Sequence, residues 1–189
     1  MLKRCSWCSD DPLYQAYHDH EWGKPLFDEA ALFEMLCLEG QQAGLSWFTV
    51  LKKREAYRAH FFQYSIASIA QFTDIELQQK CQDTALIRHL GKLRAIRDNA
   101  SAWHNLSQSH DMVQWLWSFS PVTPSHSESP QYIVTQSPES VAMSKALKQY
   151  GFKFVGPTIC YAFMQAVGMV DDHESQCHFR NIPIGISTS

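Results

Sequence analysis

The chain has 189 residues, of which 45% are apolar and 19% charged, an ordinary globular composition with enough length for one real core. No run of 18 apolar residues marks a membrane span, and the opening "MLKRCSWCSDDP" has no apolar core of a secretory signal, so a cytoplasmic protein that avoids membranes is expected. The net charge of −3 argues against a general nucleic-acid binder.

Helix-period patterns dominate from the start. Asp10 or Asp11 can cap a first helix, with Pro12 in its first turn and Gly23 beyond its end. Asp28 can start a second, "EAALFEMLCLEGQQAG", with Leu32, Met35, Leu36 and Ala43 facing inward. "SWFTVLKKREAYRAHF" reads as one helix capped by Ser46. "SIASIAQF" and "DIELQQKCQ" are shorter, and a longer helix runs from Arg88 to about Leu106. "DMVQWLWSF" is brief. "SPESVAMSKALKQYG" opens on Ser137 and Pro138 and stops at Gly151, and "GPTICYAFMQAVG" runs from Pro157 to Gly168. "QYIVTQ" and "FKFV" alternate like strands but are short. The Pro- and Ser-rich stretch 120–137 reads as a long surface loop. The fold class is all-α.

Basic residues cluster locally: Lys52, Lys53, Arg54 and Arg58; Arg88, Lys92, Arg94 and Arg97; Lys145, Lys148 and Lys153. The plain reading of each cluster is a solvated helix face. The six cysteines form no compact disulfide framework, so burial or metal ligation is the better default.

"DDHESQC" places His173 four residues before Cys177, and a helical stretch there would put both on one face. Cys5 and His18 stand at the other end of the chain. The four together make a Cys₂His₂ set suited to a closed structural zinc site that staples the two ends. Cys8, His20 and His178 lie close enough in sequence to leave the ligand set open, and scattered core residues are the alternative.

Glu39 falls on the inward face of the second helix, where a carboxylate is costly unless paired or facing a pocket. Tyr14, Tyr17, Trp22 and Trp47 are at hand to wall such a pocket, which would suit a flat, electron-poor or cationic ligand. The turn between the last two helices, flanked by Gly151 and Gly156, can present free N–H groups to a phosphate. An ordinary core and a plain helical hairpin are the bland alternatives.

"DPLYQAYHDHEWG", "LFEMLCLEGQQAGLSWFTVLKKRE", "IRHLGKLRAI" and "KALKQYGFKFVGPTICYAFMQAVGMVDDH" together resemble the bacterial DNA-3-methyladenine glycosylase I family over about Arg4 to Cys177. The resemblance implies a helix-hairpin-helix glycosylase fold as one unit over 1–189. It implies a monomer that hydrolyses the N-glycosidic bond of 3-methyladenine in double-stranded DNA without lyase chemistry. It implies one zinc on Cys5, His18, His173 and Cys177. By similarity Glu39 recognises the extruded base, Tyr17 and Trp47 stack on it, and Tyr14 and Trp22 line the pocket. Leu45 is the candidate wedge for the gap the flipped nucleotide leaves. Gly151, Lys153, Gly156 and Thr158 would grip the DNA backbone. "MVDDH" puts Asp171 where the wider superfamily carries a catalytic Asp, but its spacing from Gly156 is shorter, and it stays outside the expected catalytic set. A zinc-stapled DNA-binding module without catalysis is the competing expectation.

Overall fold

The structure, a computed structural model, describes residues 2–121 and 134–180. Among these there are ten α-helices, one π-helical turn and no strand. Most of the expected loop 120–137 and the first half of "QYIVTQ" lie outside the described residues, and 134–136 form no strand.

Eight of the ten α-helices start at a residue whose side chain caps them. Asp11 caps α1 (Pro12–His20), and Asp28 caps α2 (Glu29–Gln42) by accepting from the Ala31 N–H. Ser46 caps α3 (Trp47–Leu51). The single helix expected from Ser46 onward is broken. After α3 come α4 (Arg54–Tyr57) and a π-helical turn, Arg58–Phe62. The break brings Arg54 onto Glu21 and Arg58 onto Glu34, so long-range ion pairs override the local helical pattern. Next are α5 (Ile66–Ile69), α6 (Asp74–Lys80) behind a Thr73–Glu76 capping box, and α7 (Leu90–Ser107). Then follow α8 (Met112–Trp117), α9 (Pro138–Gln149) and α10 (Pro157–Ala166).

Helix α2 is the axis of the molecule. It packs against α3, α7, α8 and α10, and from Leu32 onward it is buried on nearly every side. Leu32, Leu36 and Leu38 share its core with Trp103 of α7 and with Phe163 and Met164 of α10. A polar residue between Met35 and Gln41 of α2 therefore has no route to water through its own helix. Helices α9 and α10 pack against one another as a helical hairpin. "FKFV" is not a strand but its connection: Phe152 and Val155 plug the core, while Lys153 and Phe154 stay exposed.

The ends of the chain meet. The His178 N–H donates to the Lys3 carbonyl at 2.8 Å, and the Ser6 N–H donates to Glu174 at 2.8 Å. The stretch 171–177 is not helical. It is a turn, closed by the Cys177 N–H on the Glu174 carbonyl. His173 and Cys177 are thus brought together by loop closure against the N-terminal segment rather than by helical spacing.

Candidate active site and metal centre

Glu39 sits on α2 with 3% of its surface exposed. Its Oε2 has no hydrogen-bond partner. Burial alone pushes its carboxyl from the ordinary 4.5 up to about 8, with no counter-ion to offset it. The indole N–H of Trp47 at the start of α3 is likewise buried and unpartnered. Other indoles do better: Trp103 donates to Glu29 at 2.8 Å and Trp117 to the Leu26 carbonyl at 2.9 Å. Two orphaned polar groups in one region, one acceptor and one donor, are the mark of a site awaiting a ligand.

The wall around them is aromatic. The Tyr17 ring lies 5.3 Å from Trp47, and Tyr14 is stacked on Phe48 at 4.9 Å. Burial raises the phenol of Tyr17 first and the charge of Glu39 next, and burial, then Cys8, then Glu39 raise that of Tyr14. Trp22 joins this wall through Trp7, whose ring lies 4.9 Å from Trp22 and 5.1 Å from Tyr14, and on its other side it reaches the Cys/His cluster, 6.1 Å from His18 and 4.6 Å from His173.

That cluster joins Cys5, His18 and Cys177, whose ligand atoms all lie within 4.8 Å of one another. His173 is beside this trio, its ring 5.4 Å from that of His18 and edge-on to it. Its Nε2 is buried with no partner, while its Nδ1 is held by Asp171 at 2.7 Å. His18 repeats the arrangement: Nδ1 meets Asp19 at 2.8 Å, and Asp19 is gripped by the forked Arg4 guanidinium. Carboxylates on both Nδ1 atoms fix both rings with Nε2 turned into the cluster, where His18 Nε2 accepts from the Cys5 N–H at 3.3 Å and lies 3.5 Å from Cys177 Sγ. Gly23, at φ +75°, makes room, since a Cβ there would lie 2.7 Å from the His173 ring. Burial pushes the Cys5 thiol up and the His18 imidazole down, and a divalent cation would reverse the first and profit from the second. The rival donors stand outside. His20 and His178 are exposed, and the half-buried Cys8 thiol faces the Ser9 carbonyl. Asp171 is a support of His173.

Helix α2 ends in a tight turn at Ala43, then Gly44 at φ +76°, then Leu45, which is 40% exposed. The hairpin connection backs onto the same helix, because a Cβ on Gly40 would touch Phe154 at 3.3 Å. Gly151, Lys153 and Thr158 are exposed and Gly156 is half-buried. Several basic residues are already engaged within the fold: Arg94 and Arg97 bind Asp74, and Lys92 is buried.

A family model of methyladenine glycosylases matches residues 7–181. The chain belongs to that family. It is 51% identical to DNA-3-methyladenine glycosylase 1 of Escherichia coli K12, over 93% of this chain and 96% of the relative. It is 47% identical to DNA-3-methyladenine glycosylase of Haemophilus influenzae, over 94% and 97%. A crystal structure of 3-methyladenine DNA glycosylase I superposes with a TM-score of 0.90 at 51% identity, covering 94% of this chain and all of that one. A variant of such an enzyme in complex with 3-methyladenine superposes at 0.87 with 37% identity, over 94% and 97%.

The all-helical class expected from periodicity is therefore that of the family. Within this glycosylase fold, two rings absent from the expected site join its walls. Trp7 touches Tyr14, His18 and Trp22 at once, bridging pocket and cluster, and Phe48 backs Tyr14. A signal for Phe48 was present, because it follows Trp47 directly. Trp7 has none, since it precedes the first helix and is placed by the Cys5 turn.

Proposed function

We propose that the chain excises 3-methyladenine from alkylated double-stranded DNA by hydrolysis, acting as a cytoplasmic monomer in base-excision repair. The observation that carries this reading is the uncompensated buried carboxyl of Glu39 within an aromatic wall. A cationic base supplies the charge that this site lacks. Neutral adenine supplies none, so the pocket discriminates by charge as well as shape.

Extrusion of the nucleotide brings the base against the rings of Tyr17 and Trp47, with Tyr14 and Trp22 closing the wall. Glu39, as the carboxylate, accepts from the exocyclic amine and stabilises the ring charge. The orphaned Trp47 N–H donates to a ring nitrogen. When the glycosidic bond breaks, its electron pair returns to the base, which leaves neutral, and positive charge develops on the sugar. Water adds at the anomeric carbon and releases a proton, leaving an abasic site. A base that is already cationic needs little acid catalysis, so holding and orienting it is the protein's main task. Leu45 fills the vacated stack, and Gly151, Lys153, Gly156 and Thr158 hold the backbone.

Cys5, His18, His173 and Cys177 would hold one Zn²⁺. The orphaned His173 Nε2 and the Nδ1–carboxylate pairs support that donor set. Four protein ligands give the ion a structural role, tying the chain ends behind the pocket wall.

The test is release of free 3-methyladenine from alkylated duplex DNA. Release by the intact protein, lost in Glu39→Gln, is expected. DNA binding without release would replace the enzyme with a binding module.

A further inference from the structure

Two buried polar side chains on α7 touch neither the pocket nor the cluster. Lys92 is 5% exposed, and its Nζ donates to the carbonyls of Gln41 at 2.7 Å and Ala43 at 2.6 Å. These are carbonyls at the end of α2, where the helix has no partners of its own and carries partial negative charge. Gln41 returns the contact, donating from Nε2 to the Lys92 carbonyl at 3.0 Å while its Oε1 accepts from Tyr57 at 2.9 Å. The Lys92 ammonium thus fixes the point at which α2 gives way to the turn that carries Leu45.

Asn99 lies seven residues further along α7, two turns on, so it shares the face of Lys92 about 10 Å away. It is buried, and it clasps one residue of the hairpin on both sides. The Lys153 N–H donates to Asn99 Oδ1 at 2.7 Å, and Asn99 Nδ2 donates to the Lys153 carbonyl at 3.1 Å. The next residue, Phe154, is held at φ +55°, a conformation a non-glycine residue keeps only when its surroundings impose it.

We infer that α7 is a spacer bar, with Lys92 and Asn99 as positioning residues that fix the Leu45 turn and the 150–156 hairpin relative to one another. This rests on the reading of those two segments as the wedge and the backbone grip. A duplex is a stiff ligand with set distances between phosphates and base steps. Two surface turns can engage it together only if their separation is fixed beforehand; otherwise ordering them opposes binding. Backbone atoms are what the two clamps hold. The clamps therefore set where Leu45 and Lys153 stand without touching DNA.

The test is a double-mutant cycle read on duplex DNA carrying a tetrahydrofuran abasic-site analogue. Lys92→Met is expected to weaken binding about tenfold in the wild-type background, but less than about twofold in the Leu45→Ala background. Lys92→Arg, which retains buried donors, is expected to restore most of the affinity. Binding of free 3-methyladenine, followed by tryptophan fluorescence, is expected to hold in all of them. Equal losses in both backgrounds, or loss of free-base binding in parallel, would overturn the spacer while leaving the wedge intact. If Leu45→Ala alone has no effect on binding, the wedge reading falls and the inference with it. Should Lys92→Met not fold, Asn99→Leu in the wild-type and Lys153→Ala backgrounds poses the same question at the other clamp. A smaller loss in the Lys153→Ala background supports the spacer, and equal losses overturn it.

Discussion

The Cys/His cluster and the Glu39 pocket share α1, which carries Tyr14 and Tyr17 toward one and His18 toward the other. In the cluster, the second nitrogen of each imidazole is already anchored by a carboxylate, and Asp19 is itself held by Arg4. In the pocket, a carboxyl oxygen and an indole N–H are left without partners. Both regions contain buried polar groups, but support has been built around only one of them. A closed structural centre gains from being pre-oriented to the last hydrogen bond. A binding pocket must keep groups unsatisfied so that the ligand completes them, and the fold bears that cost in the free protein.

Breaking the supported side should have the largest effect on the fold. Cys177→Ser removes one of the three donors drawn together at the chain ends. It is expected to lower unfolding free energy by about 4 kcal/mol and to lower the zinc content per chain. Calorimetry and elemental analysis of the purified protein read both. A variant that keeps one zinc per chain and the wild-type Tm would remove Cys177 from the ligand set. Base release by the fraction still folded should change far less than stability does.

How much of this contrast the sequence carries differs between the two regions. Cys5, His18, His173 and Cys177 were selectable because Cys and His are the usual residues of zinc sites. Choosing them over Cys8, His20 and His178 took the resemblance, and the geometry that brings chain ends together is fixed only by tertiary contacts. The helical spacing of His173 and Cys177 was a false lead, since a turn joins them. Glu39 was legible as a carboxyl on an apolar helix face. The completeness of its burial was not, because α2 is enclosed by α3, α7, α8 and α10 rather than by its own periodicity. The orphaned Trp47 N–H and the Lys92 and Asn99 clamps depend on where individual atoms find partners. Lys92 in particular read as one more solvated charge in a basic run. The break after α3 was hidden for a similar reason: Arg54 and Arg58 choose distant carboxylates over a continuous helix.

The unsupported side sharpens the contrast through pH. The Glu39 carboxyl, raised from 4.5 to about 8 by burial, holds its proton in the free protein near neutrality. A cationic base draws the carboxylate form, so binding below about pH 8 releases a proton. The kcat/KM for excision should therefore rise with pH and level off above about 8, since this ratio reports the free enzyme. Glu39→Gln should lose about 10²-fold in kcat/KM and this rise with it. Stability moves the other way. Between pH 4.5 and about 8 the native state keeps a proton that the unfolded chain has lost, so the favourable contribution present below 4.5 is lost as pH rises through about 8. The Gln variant has no such dependence, and its Tm advantage over wild type should grow from pH 5 to pH 9. A wild-type activity profile that is flat across pH 6–9 would show that Glu39 is already ionised in the free protein.

The smallest effect separates two tryptophans of similar burial. Trp103 has its indole N–H bound by the exposed Glu29, so Trp103→Phe loses both ring area and a satisfied hydrogen bond. That change should cost about 2–3 kcal/mol in stability and leave base release by the folded protein unaltered. Trp47→Phe also loses ring area, but it removes a buried N–H that had no partner. The two terms oppose, so stability should move by less than about 1 kcal/mol. Affinity for free 3-methyladenine should fall about fivefold, the worth of one hydrogen bond made only when the base is bound. If Trp47→Phe destabilises the protein as much as Trp103→Phe while base affinity holds, the indole N–H is satisfied in the free protein and Trp47 serves the pocket only as a wall.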